Sequence, residues 1–324
     1  MWLKTLSKRT PSAYFVYTIV VVILLLIPQV KTIFQFFTNR DIYLQQIPPF
    51  YIEFEFVLIP IAAFLLSLLV NRVFITTDTF NRNTLWPGYL YALLLLAIMH
   101  QYTLIDMITH GVIGIFITSE LLRVQYNKQA KFESYNIGFL LGVAMLLESS
   151  ILMFVPIVLY ALLNLKPLSF RETILYFLGI STPIYFLLSY CFLIDDFSIW
   201  ATIIITIYEW FGFNNSIATG SILLWSIVIA AFVILSFLVF LNYNSLQVYL
   251  RRLSSALMIL IVGALIIGVA NLFRGYLIFY IAPTFAFMST MLMLRYPNKR
   301  IVPIIHFIFV VTIISLQLVN NYLL

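Results

Sequence analysis

The charged residues between the first two apolar stretches are the leading candidates for chemistry. In "FFTNRDIYLQQIPPFYIEFEF", Arg40 and Asp41 are adjacent, and Glu53 and Glu55 follow further along. A carboxylate held in a partly dry site accepts a proton from a hydroxyl nucleophile, as a general base does. The segment predicts a catalytic base at Asp41, with Arg40, Glu53 and Glu55 as substrate-binding candidates. The alternatives are an ion pair of Asp41 with Arg40, and stabilisation of a helix N-terminus by the two glutamates.

Two further charged residues are predicted to bind substrate. Arg274 lies in "NLFRGYLIF", between two apolar segments, and its planar guanidinium suits a phosphate. The alternative is an anchor that reaches the lipid headgroups. Glu148 lies in the short turn "LLESS", whose flanking arms barely cross a bilayer, so we expect it below the membrane surface and facing a cavity. A turn at the membrane surface explains Glu148 equally well.

Three residues around one predicted turn are candidate ligands of a divalent metal. Asp106 and His110 share a helix face at a spacing of four residues, and His100 precedes them. No other cofactor is indicated, because the sequence contains no glycine-rich phosphate loop, no G-x-S-x-G and no H-E-x-x-H. The single cysteine excludes an internal disulfide.

The composition assigns the chain to the class of membrane proteins. Of the 324 residues, 63% are hydrophobic and 9% are charged, and the mean hydropathy is +1.06. Soluble domains carry about 25% charged residues. The basic residues form short clusters between apolar segments rather than a continuous patch, so nucleic acid is excluded as a partner. The expected architecture is an all-α transmembrane bundle in one integral membrane domain, 1–324.

The apolar segments predict about eleven spans, because a membrane-crossing helix needs about 20 apolar residues and shorter ones fit inside a bundle. The fifth and sixth segments are predicted to form a hairpin, with one long bent helix as the alternative. Segment 197–213 carries spaced tryptophans and is predicted to lie at the outer interface. The predicted spans are 13–33, 53–71, 86–100, 104–122, 134–147, 150–165, 173–194, 220–242, 254–272, 275–294 and 301–322.

The loop charges predict the orientation. With a cytoplasmic N-terminus, 15 of the 18 basic residues fall on the inner side, which is a strong positive-inside signal. Eight of the twelve acidic residues fall outside, including Asp41, Glu148 and Asp106. We therefore expect the chemistry on the outer face.

The central region resembles the GT-C type membrane glycosyltransferases. These share a short hairpin of the form G-x-x-x-G-x-A, an apolar span with proline, a basic cytoplasmic turn and a span from glycine to proline. The resemblance covers about the first two-thirds of the chain, with a core at 13–243 followed by C-terminal helices at 254–322. The whole chain is also similar to an uncharacterised family of bacterial inner-membrane proteins. The matching residues are Gly138, Gly142, Ala144, Pro156, Arg171, Gly179 and Pro183.

The resemblance implies transfer of a sugar from a polyprenyl-phosphate carrier to an envelope acceptor on the outer face of the inner membrane. Asp41 takes the place of the family's first-loop acid, and Arg274 is the nearest match to a late arginine that contacts the carrier phosphate. Two departures matter: the next acid, Glu53, follows Asp41 only after twelve positions, and a large extracytoplasmic domain is lacking. The alternatives are a non-catalytic scaffold of an envelope protein complex and a transporter or flippase for a lipid-linked solute.

Overall fold

The computed structural model describes most of the predicted helical region. The helices are formed by apolar runs that satisfy their backbone hydrogen bonds internally, as a lipid environment requires. The described residues are 11–26, 49–77, 84–98, 103–125, 130–198, 200–201, 248–270 and 276–295.

Every regular element in these ranges is helical, which confirms the all-α prediction. A 3-10 turn, Ser149–Met153, separates the fifth and sixth α-helices. The α-helices are α1 Pro11–Leu26, α2 Pro49–Thr76, α3 Trp86–Ile98, α4 Leu104–Val124, α5 Lys131–Leu147, α6 Phe154–Leu165, α7 Phe170–Leu193, α8 Val248–Ala270 and α9 Leu277–Arg295.

Four of these helices are long and apolar enough to cross a membrane, which supports the membrane class. They contain the segments Leu58–Thr76, Leu104–Val124, Phe170–Leu193 and Val248–Ile267. The predicted spans 220–242 and 301–322, and most of the predicted interfacial segment 197–213, lie outside the described residues. The total of about eleven spans therefore stays a prediction.

Five of the described helices begin earlier than predicted, and a local cause is evident for two of them. α7 begins at Phe170 rather than at 173, because Ser169 and Glu172 form a capping box that satisfies the first backbone N–H groups. α2 begins at Pro49 rather than at 53, in line with the fit of proline to the first helical position. Glu53 and Glu55 therefore lie beyond the first turn of α2.

The chain divides into two compact units, Met1–Val112 with Ala286–Leu324, and Ile113–Phe285. In the first unit, α2 joins α1 and α3 through buried polar contacts. The Tyr17 hydroxyl lies 2.6 Å from the Ser67 hydroxyl, and the Asn71 side-chain oxygen accepts a 2.8 Å hydrogen bond from the Gly88 N–H. Gly88 has no room for a side chain, because a Cβ there would meet the Ser67 carbonyl oxygen and the Asn71 amide.

In the second unit, α5 and α7 run parallel in close contact. A Cβ at Gly138 would collide with the Tyr176 carbonyl oxygen, and a Cβ at Gly142 would lie 2.6 Å from the Ile180 carbonyl oxygen. A four-residue step along α5 thus matches a four-residue step along α7 in the same direction. A Cβ at Gly179 of α7 would likewise collide with the Tyr135 carbonyl oxygen of α5. Small residues allow two membrane helices to approach this closely.

The chain reverses between α5 and α6. The Ala130 N–H, just before α5, donates to the Glu172 carboxylate near the start of α7, so the end of α6 returns to the level where α5 began. The structure therefore has two helices here and not one bent helix. The two arms of the predicted hairpin do not pack mainly on each other. Instead, α5 packs mainly on α7, and α6 packs on α8. An Asn164 to Ser255 hydrogen bond of 2.7 Å joins α6 to α8.

Candidate functional site

Several of the predicted site residues lie outside the described residues: Asp41, Arg40, Arg274 and His100. Their assignments stay predictions. Glu53 and Glu55 lie on α2, as stated above. Glu148, Asp106 and His110 are the predicted site residues whose side chains the structure describes.

Glu148 forms the turn between α5 and the 3-10 segment. Its backbone leaves the helical conformation (φ −143°, ψ 107°), and its N–H still donates to the Ala144 carbonyl at 2.9 Å. Its carbonyl accepts from the Ile151 N–H at 3.1 Å. Both backbone groups of Glu148 are thus hydrogen-bonded within the turn, and its side-chain carboxylate is half-buried.

Glu148 lies at a lower level than the C-terminal end of the neighbouring helix α7, because α5 is shorter than α7. Tyr176 lies beside Gly138 and Ile180 beside Gly142, a constant offset of 38 residues between α5 and α7. By this offset Glu148 is level with Phe186, and α7 continues to Leu193. At 1.5 Å per residue, those seven residues extend α7 about 10 Å further. Glu148 is therefore recessed relative to the end of α7.

Two polar side chains accompany this carboxylate. Ser149 is buried, and its hydroxyl has no hydrogen-bond partner among the described residues. Tyr280, near the start of α9, is close enough to Glu148 for their side chains to interact electrostatically. An ionisable group at membrane depth is costly, so it generally marks a polar ligand, an ion or water. A carboxylate with hydroxyl groups nearby can hold a ligand that carries hydroxyls.

Asp106 has a structural role at the start of α4. Its carboxylate accepts a 2.8 Å hydrogen bond from the Thr103 hydroxyl, whose oxygen accepts a 3.3 Å bond from the Asp106 N–H. This reciprocal pair caps the helix. His110 is buried one turn further along. Within the described part of the chain, no group of three or more histidine, cysteine, aspartate or glutamate residues could hold a metal ion.

The end of α7 is followed by two exposed acidic residues, Asp195 and Asp196, which the predicted orientation would place outside. Asp195 adopts a positive φ of 52°, a conformation that aspartate and asparagine tolerate better than most residues. The Asp196 carboxylate accepts a 2.8 Å hydrogen bond from the Ser198 N–H, and this bond lowers the pKa of Asp196 below its usual value. Both acids shape the turn that ends α7.

The sequence analysis missed a buried carboxylate at the opposite end of the second unit. The Glu172 carboxylate accepts hydrogen bonds from the Ala130 N–H at 2.7 Å, the Ser169 N–H at 2.7 Å and the Ser169 hydroxyl at 2.9 Å. The Lys166 ammonium is 3.5 Å away. The pattern Ser169-x-x-Glu172 is a capping-box signature, so the contacts between Ser169 and Glu172 could have been predicted from the sequence.

A second buried carboxylate, Glu120, joins α4 to α5 in the same unit. It pairs with Arg123 at 3.0 Å, one turn along α4. Asn136 and Glu133 of α5 are close enough to interact with it, and Glu133 is itself buried. Because Glu120 pairs with Arg123 of its own helix and interacts with two residues of α5, this cluster is best explained as a connection between helices.

No family model, no curated protein and no solved structure matches this chain. The class that the observations define is an all-helical protein with helices suited to a membrane. A finer assignment depends on the recessed Glu148 and on the sequence resemblance.

Proposed function

We propose that the protein is a membrane glycosyltransferase of the GT-C-like kind, which transfers a sugar from a polyprenyl-phosphate carrier to an envelope acceptor. It would work at the outer face of a bacterial inner membrane, with its N-terminus in the cytoplasm. The observation that carries the proposal is the recessed Glu148, with Ser149 next to it and Tyr280 nearby. A lipid-linked sugar brings its hydroxyl groups to the membrane boundary, where a recessed carboxylate can bind them.

The reaction requires few groups. The acceptor hydroxyl attacks the anomeric carbon of the sugar, the bond from that carbon to the carrier phosphate breaks, and the polyprenyl phosphate leaves. Asp41 takes the proton of the acceptor hydroxyl, and Arg274 stabilises the negative charge of the leaving phosphate. Glu148 binds sugar hydroxyls, and Arg40, Glu53 and Glu55 remain substrate-binding candidates from the sequence.

The residues behind the resemblance add a structural argument. Gly138, Gly142 and Gly179 all lie at the close contact of α5 with α7, and Pro183 lies beside Gly142. This contact holds the short helix α5 against the longer α7 and so keeps Glu148 recessed. The resemblance thus corresponds to a packing arrangement that supports the candidate site.

The glycine-mediated packing of α5 on α7 also favours a second candidate, a non-catalytic scaffold of an envelope complex. Glycines that serve helix packing are needed by a scaffold as much as by an enzyme. The two functions differ in whether the outer carboxylates are required, and the following experiment depends on that difference.

A knockout strain complemented with variants tests the proposal. Asp41→Asn should lower sugar transfer about 10²–10⁴-fold, the usual effect of losing a general base. Glu148→Gln should lower it about 10–100-fold, since a hydrogen bond to a charged group contributes about 1.5–3 kcal/mol. Transfer is measured in membranes with a radiolabelled polyprenyl-phosphate hexose, and envelope glycans are scored in cells.

The matched control is Asp195→Asn, which neutralises an exposed outer acid and suits the positive φ at that position. It should leave transfer unchanged. Arg274→Ala should weaken use of the carrier, and Arg274→Lys should restore only part of it, because lysine lacks the bidentate fork. Full activity of both Asp41→Asn and Glu148→Gln at normal protein level would reject the enzyme and favour the scaffold.

A further inference from the structure

Two basic residues lie where α5 and α7 begin, one on each helix. Lys131 and Arg171 occupy the first turns of these parallel helices, and the Ala130 N–H to Glu172 bond holds the two helix starts together. Neither basic residue makes a salt bridge among the described residues. Glu172 is buried and already accepts the bonds described above. The second unit therefore has two cations here without acidic partners in the described part of the chain.

Each of these cations has an exposed phenylalanine as its neighbour in the sequence. Phe132 is 77% exposed and Phe170 is 82% exposed, which is unusual for phenylalanine in water but suits the boundary between headgroups and acyl chains. Behind Phe170, the apolar residues Ile174, Phe177 and Leu178 continue along the exposed side of α7. Along α7 the exposed surface thus changes from an aromatic and a basic residue in the first turn to apolar residues in the turns that follow.

The helix α7 is the least covered of the four long apolar helices. Only 22% of its membrane window is buried, against 50–61% in the other three. The glycine contact between α5 and α7 keeps the two helix starts at a set distance, so the backbone positions that carry the basic and aromatic residues are fixed before any ligand binds. A preorganised surface of this kind suits one bound molecule better than a shifting lipid layer.

We propose that Lys131, Phe132, Phe170 and Arg171, here called the α5–α7 surface, bind an anionic phospholipid. The lipid phosphate accepts hydrogen bonds from the Arg171 guanidinium and the Lys131 ammonium. Its acyl chains lie along Ile174, Phe177 and Leu178 of α7. A zwitterionic lipid carries its own cation, which offsets the attraction, so charge complementarity favours the anionic class. This proposal does not depend on the glycosyltransferase assignment.

The test compares two lipids on the purified full-length protein. Native mass spectrometry measures the binding of phosphatidylglycerol and phosphatidylcholine from mixed detergent micelles. The variant Lys131→Gln/Arg171→Gln should bind phosphatidylglycerol about 30-fold more weakly, since each basic residue near an anionic surface contributes about a fivefold effect. Its binding of phosphatidylcholine should not change. Phe132→Ala/Phe170→Ala should weaken both lipids by a similar factor, because the apolar contact does not distinguish the headgroups.

The matched control is Arg252→Gln, which removes an exposed cation from the start of α8 in the same unit. It should retain the preference for phosphatidylglycerol. Equal loss of that preference in Arg252→Gln would show a general charge effect and overturn the site. A wild-type protein without any preference would overturn it too. Crosslinking of two copies through cysteines placed at 174 and 178 would show a protein partner on this surface and reject the lipid.

Discussion

Replacing Glu172 with alanine tests the contact that holds the start of α5 to the start of α7. The carboxylate is buried and accepts bonds from two backbone N–H groups, those of Ala130 and Ser169, and from the Ser169 hydroxyl. Lys166 supplies the nearest positive charge at 3.5 Å. The alanine side chain can replace none of these acceptor atoms.

The expected loss of stability follows from what remains after the substitution. The Ala130 N–H is fully buried, and a buried donor without a partner costs about 1–3 kcal/mol, towards the upper end when its lost acceptor was charged. Loss of the carboxylate's hydrogen bonds to Ser169, whose hydroxyl still caps the backbone N–H of residue 172, costs about a further 1 kcal/mol. We expect a total of about 3 kcal/mol, the lower end of the about 3–5 kcal/mol found when one member of a buried ion pair is removed. At about 2–4 °C per kcal/mol, Tm should fall by about 6–12 °C.

The single cysteine provides the assay. Cys191 is fully buried near the end of α7, so a thiol-reactive dye labels it only after that helix loses its packing. The purified full-length protein is heated in detergent at one fixed scan rate, because unfolding of such proteins is often irreversible. Glu172→Gln should cost less than alanine, since its oxygen can still accept from Ala130 while water reaches the more exposed Ser169.

The control is Asp195→Asn, at an exposed position close to the dye site. It should leave the labelling midpoint within about 2 °C of wild type, because the position is exposed and asparagine also tolerates its positive φ, so that stability should change by about 0.5 kcal/mol or less. A midpoint for Glu172→Ala that equals the control would refute the assignment of Glu172 as the connection between α5 and α7.

Two further predictions concern packing and orientation. Gly138→Val should sharply reduce the yield of folded protein, because its side chain would collide with the Tyr176 carbonyl oxygen, whereas Leu147→Val at an exposed position of the same helix should not; normal yield of Gly138→Val in detergent extracts would contradict the close contact. A reporter fused after Arg252 should read cytoplasmic and one placed between Asp195 and Asp196 should read external, and exchanged signals at both positions would contradict the orientation.

Hydropathy and length were sufficient to locate the helices. Each described α-helix overlaps a predicted apolar segment, since the cost of exposing backbone groups to lipid depends on the local sequence alone. Helix starts were less well predicted. α8 begins at Val248 rather than at 254, because its first turns carry the paired arginines 251 and 252, which an apolar window excludes. The capping box at Ser169 and Glu172 likewise explains why α7 begins earlier than predicted.

The candidate site was predicted only in part. Glu148 could be found from its position in a short turn between apolar arms, and its depth was an expectation based on the length of those arms. The relation of Glu148 to Tyr280 was not predictable, because the two residues are far apart in sequence and no local pattern connects them. The same holds for Glu172, whose bond to the Ala130 N–H joins residues 42 positions apart.

The sequence by itself determined that this is an all-helical protein suited to a membrane, because apolar content and segment length act residue by residue along the chain. Tertiary structure alone decided that α5 and α7 run parallel, that α6 packs on α8, and that Glu148 is recessed by about 10 Å beside the longer helix. These features depend on which glycines face which carbonyl oxygens. A glycine permits close approach wherever it occurs, and its actual neighbour is selected by the packing of the whole unit.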